Sequence, residues 1–204
     1  MGRPKQHLLL KGKTVLQHSI EACVNAGLED VIVVAGEVGK RELQIDNLLP
    51  AKLVFNKMPK SEMADSVRVG LQAIHNSSSG VFICLADHPL VKVETFRLLI
   101  KYHEVESDKI IIPVYNGRRG HPTLFPKTIM GEMLNPLANT GFNNHRRLPI
   151  LRDLIARNKK RVYLLEVDDE GVIIDMDTKQ DYKRIIKKIN TIISGSEREN
   201  EKKK

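Results

Sequence analysis

The sequence predicts an α/β fold in a single domain, built around a doubly wound and mainly parallel sheet. The length of 204 residues suits one well-buried core. Helix-like and strand-like patterns alternate along the first half, and the strand-like segments are continuous apolar runs, typical of strands buried on both faces. Because parallel neighbours need a crossover, usually a helix, the alternation favours a parallel sheet.

The first predicted helix covers residues 14–26, where apolar side chains recur at helical spacing. Thr14 is the expected N-cap and Gly27 the expected end. A buried strand follows, an unbroken β-branched run at residues 31–34 that ends in Ala35 and Gly36. The alternation then continues with helix 41–49, strand 52–55, helix 63–74, strand 81–86, helix 93–105 and strand 109–115.

After residue 115 the pattern changes, and the last third of the chain is predicted to form a mixed edge packed on the first half. A turn at residues 116–120 returns the chain as a hairpin strand at 122–125. The remaining predicted elements are helix 149–158, strands 161–167 and 172–175, and helix 179–193. Residues 1–193 would thus form one domain, and the charged stretch 194–204 a disordered tail, because it lacks apolar periodicity.

The amino-acid composition is typical of a globular domain. Hydrophobic residues make up 41% and charged residues 28%, as in ordinary globular domains. No apolar run reaches the roughly 18 residues of a membrane span, and no signal peptide is visible, so a cytoplasmic protein is expected. Cys23 and Cys84 lie in apolar segments and are expected to be buried, reduced thiols.

The net charge of +8 does not by itself indicate a nucleic-acid partner. Lysines and arginines are dispersed along the chain, and aromatic residues, which would stack on bases, are only 4%. Nucleic acid is therefore not expected. A basic cleft for an anionic small molecule explains the same charge, because positive potential concentrates phosphorylated ligands.

Two acidic positions follow predicted strands, where ligands of open α/β sheets bind. Asp87 ends the strand in CLADHPLV, and Asp177 lies in DMDT at residues 175–178. Each has two open interpretations. Asp87 is either a turn or capping aspartate or a hard oxygen ligand for magnesium. Asp177 or Thr178 is either a helix N-cap or, for Asp177, a second ligand of the same ion.

The start of the chain carries residue types that approach phosphate. Gly2, Arg3 and Lys5 precede the first predicted helix in the sequence MGRPK. A lysine at this position is also compatible with an ordinary solvated surface charge. The short motif alone therefore leaves both interpretations open.

Five stretches together resemble the nucleotidyltransferases that act on molybdopterin, more closely the cytidylyltransferase branch than the guanylyltransferase branch. They are MGRPK, SEMADSVRVGLQAI, ADHPLV, GRRGHPTLF and DMDTKQDY, in this order, and KTVLQHSIEACVNAGLEDVIVVAG extends the likeness. The resemblance covers about residues 1–188. It implies a Rossmann-like nucleotidyltransferase fold and transfer of a cytidylyl group from CTP to molybdopterin, with release of pyrophosphate.

The same resemblance implies roles for individual residues. Lys5, with Gly2 and Arg3, would bind the triphosphate, while Asp87 and Asp177 would hold Mg²⁺. Lys5 and Asp87 are the expected catalytic residues. Chemistry of this kind needs no protein nucleophile, since positioning and charge neutralisation supply the catalysis.

Two further stretches would contact the substrates. Ser66 and Arg68 match a helix start that approaches the nucleotide, although Glu62 and Met63 replace the family's glycine-methionine pair and Arg68 also suits a solvated helix surface. In the loop GRRGHP, the residues expected to face the pterin are Arg118, Arg119, Gly120 and His121. An arginine pair at a hairpin tip is also compatible with simple exposure. Residues 139–147 depart from the family pattern, so no role is assigned there.

Three functions remain open. The first is the CTP-dependent reaction, serving a molybdenum hydroxylase as partner. The second is nucleotidyl transfer from another nucleotide, such as GTP, or to another phosphorylated acceptor. The third is a non-catalytic chaperone that holds the pterin and docks on its target enzyme.

The resemblance also predicts where the natural chain begins. Met1 matches the methionine within the family's LAAGxSxRMGxPK loop, so the first strand and the LAAG turn would precede it. The natural start is therefore expected about ten to fifteen residues upstream. Without that strand, two interior strand edges would stay unpaired and the core would be open.

Overall fold

The computed structural model describes residues 7–36, 50–58, 62–134 and 151–189, and it has an α/β architecture. The helices are α1 Val15–Asn25, α2 Met63–Leu71, α3 Val93–Val105, α4 Lys127–Leu134, α5 Leu151–Arg157 and α6 over 179–189. The strands are β1 Leu9–Leu10, β2 Lys13–Thr14, β3 Ile32–Gly36, β4 Lys52–Asn56, β5 Gly80–Ile83, β6 Ile110–Tyr115, β7 Arg118–Arg119, β8 Thr123–Pro126 and β9 Val162–Glu166. Two 3-10 helices cover Lys159–Arg161 and Glu170–Ile173.

Helix α1 begins and ends where the sequence predicts. The Thr14 hydroxyl accepts a hydrogen bond from the Gln17 amide, and the Gln17 side chain accepts one from the Thr14 amide, which completes a capping box. Gly27, just past the helix, has φ of +92°, a conformation that favours glycine. The buried face of the helix consists of Val15, Leu16, Ile20 and Cys23.

The sheet of the second half is centred on β6. Strand β9 pairs with it in parallel, from Ile110 opposite Val162 to Val114 opposite Glu166, and β8 pairs with it antiparallel. The strand order is β5-β8-β6-β7, so β8 lies inside the sheet, between β5 and β6. All four residues of β8 are buried, which requires cover on both faces. The predicted α/β fold class is nevertheless confirmed.

Some predicted boundaries are wrong. The expected strand at residues 172–175 is instead the 3-10 turn at 170–173, because Asp169 accepts the Gly171 amide and forms a turn before the apolar run can extend. The helix predicted to residue 74 ends at Leu71, and the strand predicted to residue 86 ends at Ile83. The predicted helix at 41–49 and the tail at 194–204 lie outside the described residues.

An open slot of about 790 Å³ lies between the two-stranded sheet of β3 and β4 and the five-stranded sheet that contains β5. Residues of both β3 and β5 line it, and in the part of the chain that the structure describes β3 pairs only with β4 and β5 only with β8. Cys84 lines the slot and is exposed, so its predicted burial is wrong, whereas Cys23 is buried. The start of the natural chain stays a prediction.

Amide hydrogen exchange tests whether this slot is open in solution. We expect the amides of β3 and β5 to exchange faster than those of β6, because β6 has strand partners in β8 and β9. Exchange followed by mass spectrometry or NMR at neutral pH measures the difference. Equal protection in all three strands would show that the slot is closed in solution.

A separate observation concerns membranes. Among the described residues, none of the helices combines the length and the apolar character that crossing a bilayer requires.

Candidate functional site

Two of the stretches singled out in the sequence, ADHPLV and GRRGHP, contact the 170–173 turn, which directly precedes the DMDT stretch. The carbonyl oxygen of Val172 accepts a hydrogen bond of 2.8 Å from the His121 amide. A Cβ atom on Gly120 would lie 2.5 Å from that same oxygen, and one on Gly171 would lie 2.2 Å from the carbonyl oxygen of Leu90. Glycine at both positions therefore permits the close approach of three backbone segments.

Asp87 lies in the loop after β5, with its side chain 18% exposed. Helix α3, the next along the chain, begins at Val93 with Lys92 as the N-cap residue. The carboxylate that accepts the Lys92 amide belongs to Asp169. Asp169, and not Asp87, therefore accepts this amide at the start of α3, and the interpretation of Asp87 as a turn aspartate stays open.

Asp177 does not follow a strand, contrary to the sequence prediction, but lies in a segment at residues 174–177 that comes after the 3-10 turn and in which burial alternates. Met176 is fully buried, and Asp175 and Asp177 on either side are exposed, so both carboxylates point away from the core. The N-cap of α6 is Thr178, whose hydroxyl accepts the Asp181 amide at 3.1 Å. Asp177 is therefore not the cap.

A shared apolar cluster brings these two acidic segments together. Met176 and Ile174 are buried in it, and Leu90, three residues after Asp87, packs against them. The cluster lies on the core side, and the carboxylates of Asp175 and Asp177 lie on the solvent side.

Asp87 and Asp177 are the described residues that would hold a divalent cation. Asp87 and Asp177 offer carboxylate oxygens, the hard ligands that Mg²⁺ prefers. No cluster of three or more histidine, cysteine, aspartate or glutamate residues that could hold a metal occurs in the described ranges. This is compatible with magnesium, which is usually bound through one or two carboxylates and completes its shell with water and substrate phosphates.

Two histidines adjoin Asp87. The rings of His88 and His121 meet edge to face, with centroids 5.4 Å apart, and Nε2 of His88 lies 3.9 Å from a carboxylate oxygen of Asp87. Burial lowers the pKa of His121 from its ordinary value, the nearby His88 lowers it further, and Asp87 opposes the shift. At neutral pH His121 is therefore an uncharged hydrogen-bonding group and not a cation.

The lowered pKa of His121 predicts a dependence of stability on pH. The unfolded chain binds a proton to this residue more readily than the folded chain, so the free energy of unfolding should fall as pH drops below about 6.5. His121→Gln should remove part of this slope, whereas the exposed His75→Gln should not. Urea unfolding at pH 5 and pH 7 measures it, and identical slopes for all three proteins would contradict the assignment.

The other predicted site residues are placed elsewhere or lie outside the described ranges. Ser66 accepts a hydrogen bond of 3.2 Å from Asn56 at the end of β4. Arg68 pairs with Asp65 on the same helix, at 3.9 Å. Arg118 and Arg119 are exposed and form β7. Gly2, Arg3 and Lys5 lie outside the described residues, so their roles remain predictions.

Sequence reasoning missed Asp169. It is only 2% exposed, and its carboxylate accepts hydrogen bonds from Lys92, Thr95 and Gly171. The hydrogen bond from the Gly171 amide could have been predicted from the sequence, since an aspartate two residues before a glycine favours an Asx turn. The contacts with Lys92 and Thr95 span more than 70 residues of chain, and no local pattern predicts them.

The chain is similar to known proteins along most of its length. The profile of the MobA-like NTP transferase domain matches residues 1–160. The chain is 24% identical to nicotine blue oxidoreductase of Paenarthrobacter nicotinovorans, over 91% of this chain and 90% of that protein. It is 22% identical to molybdenum cofactor cytidylyltransferase of Escherichia coli K12, over 89% of this chain and 86% of that one.

Solved structures show the same fold. Rv0371c from Mycobacterium tuberculosis H37Rv superimposes with a TM-score of 0.73 and 26% identity, covering 92% of this chain and 90% of that one. A second structure of Rv0371c is a complex with manganese, with a TM-score of 0.69. The profile match spans well over half of the chain. The chain thus belongs to the MobA-like NTP transferase family and is an enzyme of the nucleotidyltransferase class.

Proposed function

We propose that this enzyme transfers a cytidylyl group from CTP to molybdopterin and releases pyrophosphate. The observation that carries the proposal is that three segments meet around the 170–173 turn. They are the loop after β5 with Asp87, the loop at residues 118–121 (the arginine loop) and the segment with Asp177. The similarity to a molybdenum cofactor cytidylyltransferase along most of both chains supports the choice of substrates. The product would serve a molybdenum hydroxylase, and the reaction would take place in the cytoplasm.

In this proposal the chain positions two anionic substrates. Asp87 and Asp177 would hold Mg²⁺, which, when bound, would neutralise charge on the phosphates. Lys5, with Gly2 and Arg3, would bind the triphosphate. Phosphate oxygens repel each other, so a site that neutralises both groups and holds them close supplies most of the catalysis.

The remaining site residues would select and orient the substrates. Ser66 and Arg68, at the start of α2, would approach the nucleotide. The loop at residues 118–121 would bind the phosphate of the pterin. Within that loop the uncharged His121 would exchange hydrogen bonds with the pterin, and the two arginines would supply the positive charge.

The test is pyrophosphate release by the full chain with molybdopterin and Mg²⁺, using each of CTP, GTP, ATP and UTP in turn. We expect turnover with CTP to exceed turnover with the other nucleotides at least tenfold. Preferential use of GTP would overturn the choice of nucleotide. Pterin binding without turnover of any nucleotide would overturn catalysis and favour a chaperone.

The arginine loop gives a selective prediction. Replacing Arg118 and Arg119 together by alanine should weaken pterin binding about tenfold or more and leave CTP binding unchanged, because charge-assisted contacts with the pterin phosphate are lost. The matched control replaces Lys159 and Lys160, an exposed basic pair at the opposite end of β9. Calorimetric titration with each ligand measures both affinities. Equal weakening of both ligands would refute the assignment of this loop.

A further inference from the structure

We propose that Asp169 is a positioning residue, which fixes the loop that carries Asp87 against the segment that carries Asp177. The inference rests on the proposed function, in which these two aspartates hold one metal ion. Asp169 would not itself contact that ion. It would act by holding the two chain segments at a fixed separation.

The hydrogen bonds of the Asp169 carboxylate reach both segments. One oxygen, Oδ2, accepts from the Lys92 amide at 2.8 Å and from the Thr95 hydroxyl at 2.7 Å. The other oxygen, Oδ1, accepts from the Gly171 amide at 2.9 Å. A single side chain therefore connects the start of α3 with the 170–173 turn.

The charge and the burial of Asp169 make this connection strong. The residue is 2% exposed, so the carboxylate has little water to replace a lost partner. It lies at the N-terminus of α3, where the helix dipole favours a negative charge. Lys92 adds a second link, because its ammonium group donates to the carbonyl oxygen of Asp168 at 2.8 Å.

Contacts close to Asp169 in the chain fix the positions of Asp87 and Asp177. Leu90, between Asp87 and Lys92 in the sequence, has its carbonyl oxygen against Gly171. Beyond the 170–173 turn, Met176 is buried beside Leu90 and directly precedes Asp177. The two loops can therefore shift relative to each other only if the contacts around Asp169 break.

The test compares Asp169→Asn with Asp168→Asn, an exposed neighbour that provides a matched change of charge. Binding of Mn²⁺, followed by electron paramagnetic resonance with and without CTP, should be 10- to 100-fold weaker in Asp169→Asn, the usual loss on removing a residue that orients metal ligands. Asp168→Asn should bind Mn²⁺ like the wild type. Thr95→Val removes one donor and should give a smaller loss in the same direction.

Two further measurements separate positioning from loss of stability and from failure of the proposed function. Ile129→Val, a core change in a different apolar cluster, should lower stability without changing Mn²⁺ affinity. Hydrogen exchange of residues 87–92 should rise in Asp169→Asn, while that of β6 does not. Unchanged exchange in 87–92 would overturn the positioning role, whether or not the wild type binds Mn²⁺. Absence of Mn²⁺ binding by the wild type would instead refute the metal site of the proposed function.

Discussion

Asp87→Asn should lower Mg²⁺-dependent turnover about 10²- to 10³-fold, the range typical for loss of one group that stabilises transition-state charge. The amide has nearly the same shape as the carboxylate but carries no negative charge. Because Asp87 lies in a loop after β5 and not in the core, the thermal unfolding temperature should change little. Steady-state kinetics over a range of Mg²⁺ concentrations, with a thermal unfolding curve for each variant, measure both effects.

Two variants serve as comparisons for Asp87→Asn. Asp177→Asn should act in the same direction but more weakly, since the exposed carboxylate of Asp175 lies two residues away and can substitute in part. Asp168→Asn should retain wild-type turnover. A large loss of thermal stability in Asp87→Asn, with unchanged dependence on Mg²⁺, would show that Asp87 is structural.

Gly171→Ala is expected to cause the largest loss of stability, about 1–3 kcal/mol in the free energy of unfolding. A methyl group at this position would lie 2.2 Å from the Leu90 carbonyl oxygen, and the backbone must move to admit it.

The opposite result, a gain in stability, is expected for Gly131→Ala. This glycine is inside α4 with no atom within 4 Å of the added Cβ, so alanine should stabilise the protein by about 0.5–1 kcal/mol through helix propensity.

Chemical unfolding of both glycine variants measures the difference. If Gly171→Ala displaces Leu90, turnover should also fall, because the loop that carries Asp87 moves with it. A Gly171→Ala protein as stable as the wild type would mean that the turn and the Leu90 carbonyl oxygen are further apart in solution. The close contact of the three segments would then have to be abandoned.

Local sequence patterns predicted the structure correctly wherever the deciding interactions lie within one short segment. Thr14 and Gly27 marked the ends of α1, since a capping box and a left-handed glycine are local devices. The five ordered motifs were sufficient for the family and the nucleotidyltransferase class, which the profile match confirms. The substrates and the individual roles of the site residues stay proposals.

Local patterns failed where several segments compete. Residues 172–174 are apolar and suit a strand, but the turn formed by Asp169 and Gly171 prevents one from forming. Cys84 belongs to an apolar run and was expected to be buried, yet it faces the slot between β3 and β5. The exposure of this residue depends on which strands pair, which the run itself does not encode.

By itself, the sequence determined much of the alternation of helices and strands, and the family to which the chain belongs. Periodicity and caps encode these features within a few residues of each position. Only the tertiary structure decided that β8 lies between β5 and β6, and that the 170–173 turn contacts both Leu90 and the segment of Gly120 and His121. The last of these depends on Asp169, whose partners at Lys92 and Thr95 are 77 and 74 residues away along the chain. Contacts at such separations arise from packing of the whole domain, so no window of sequence contains them.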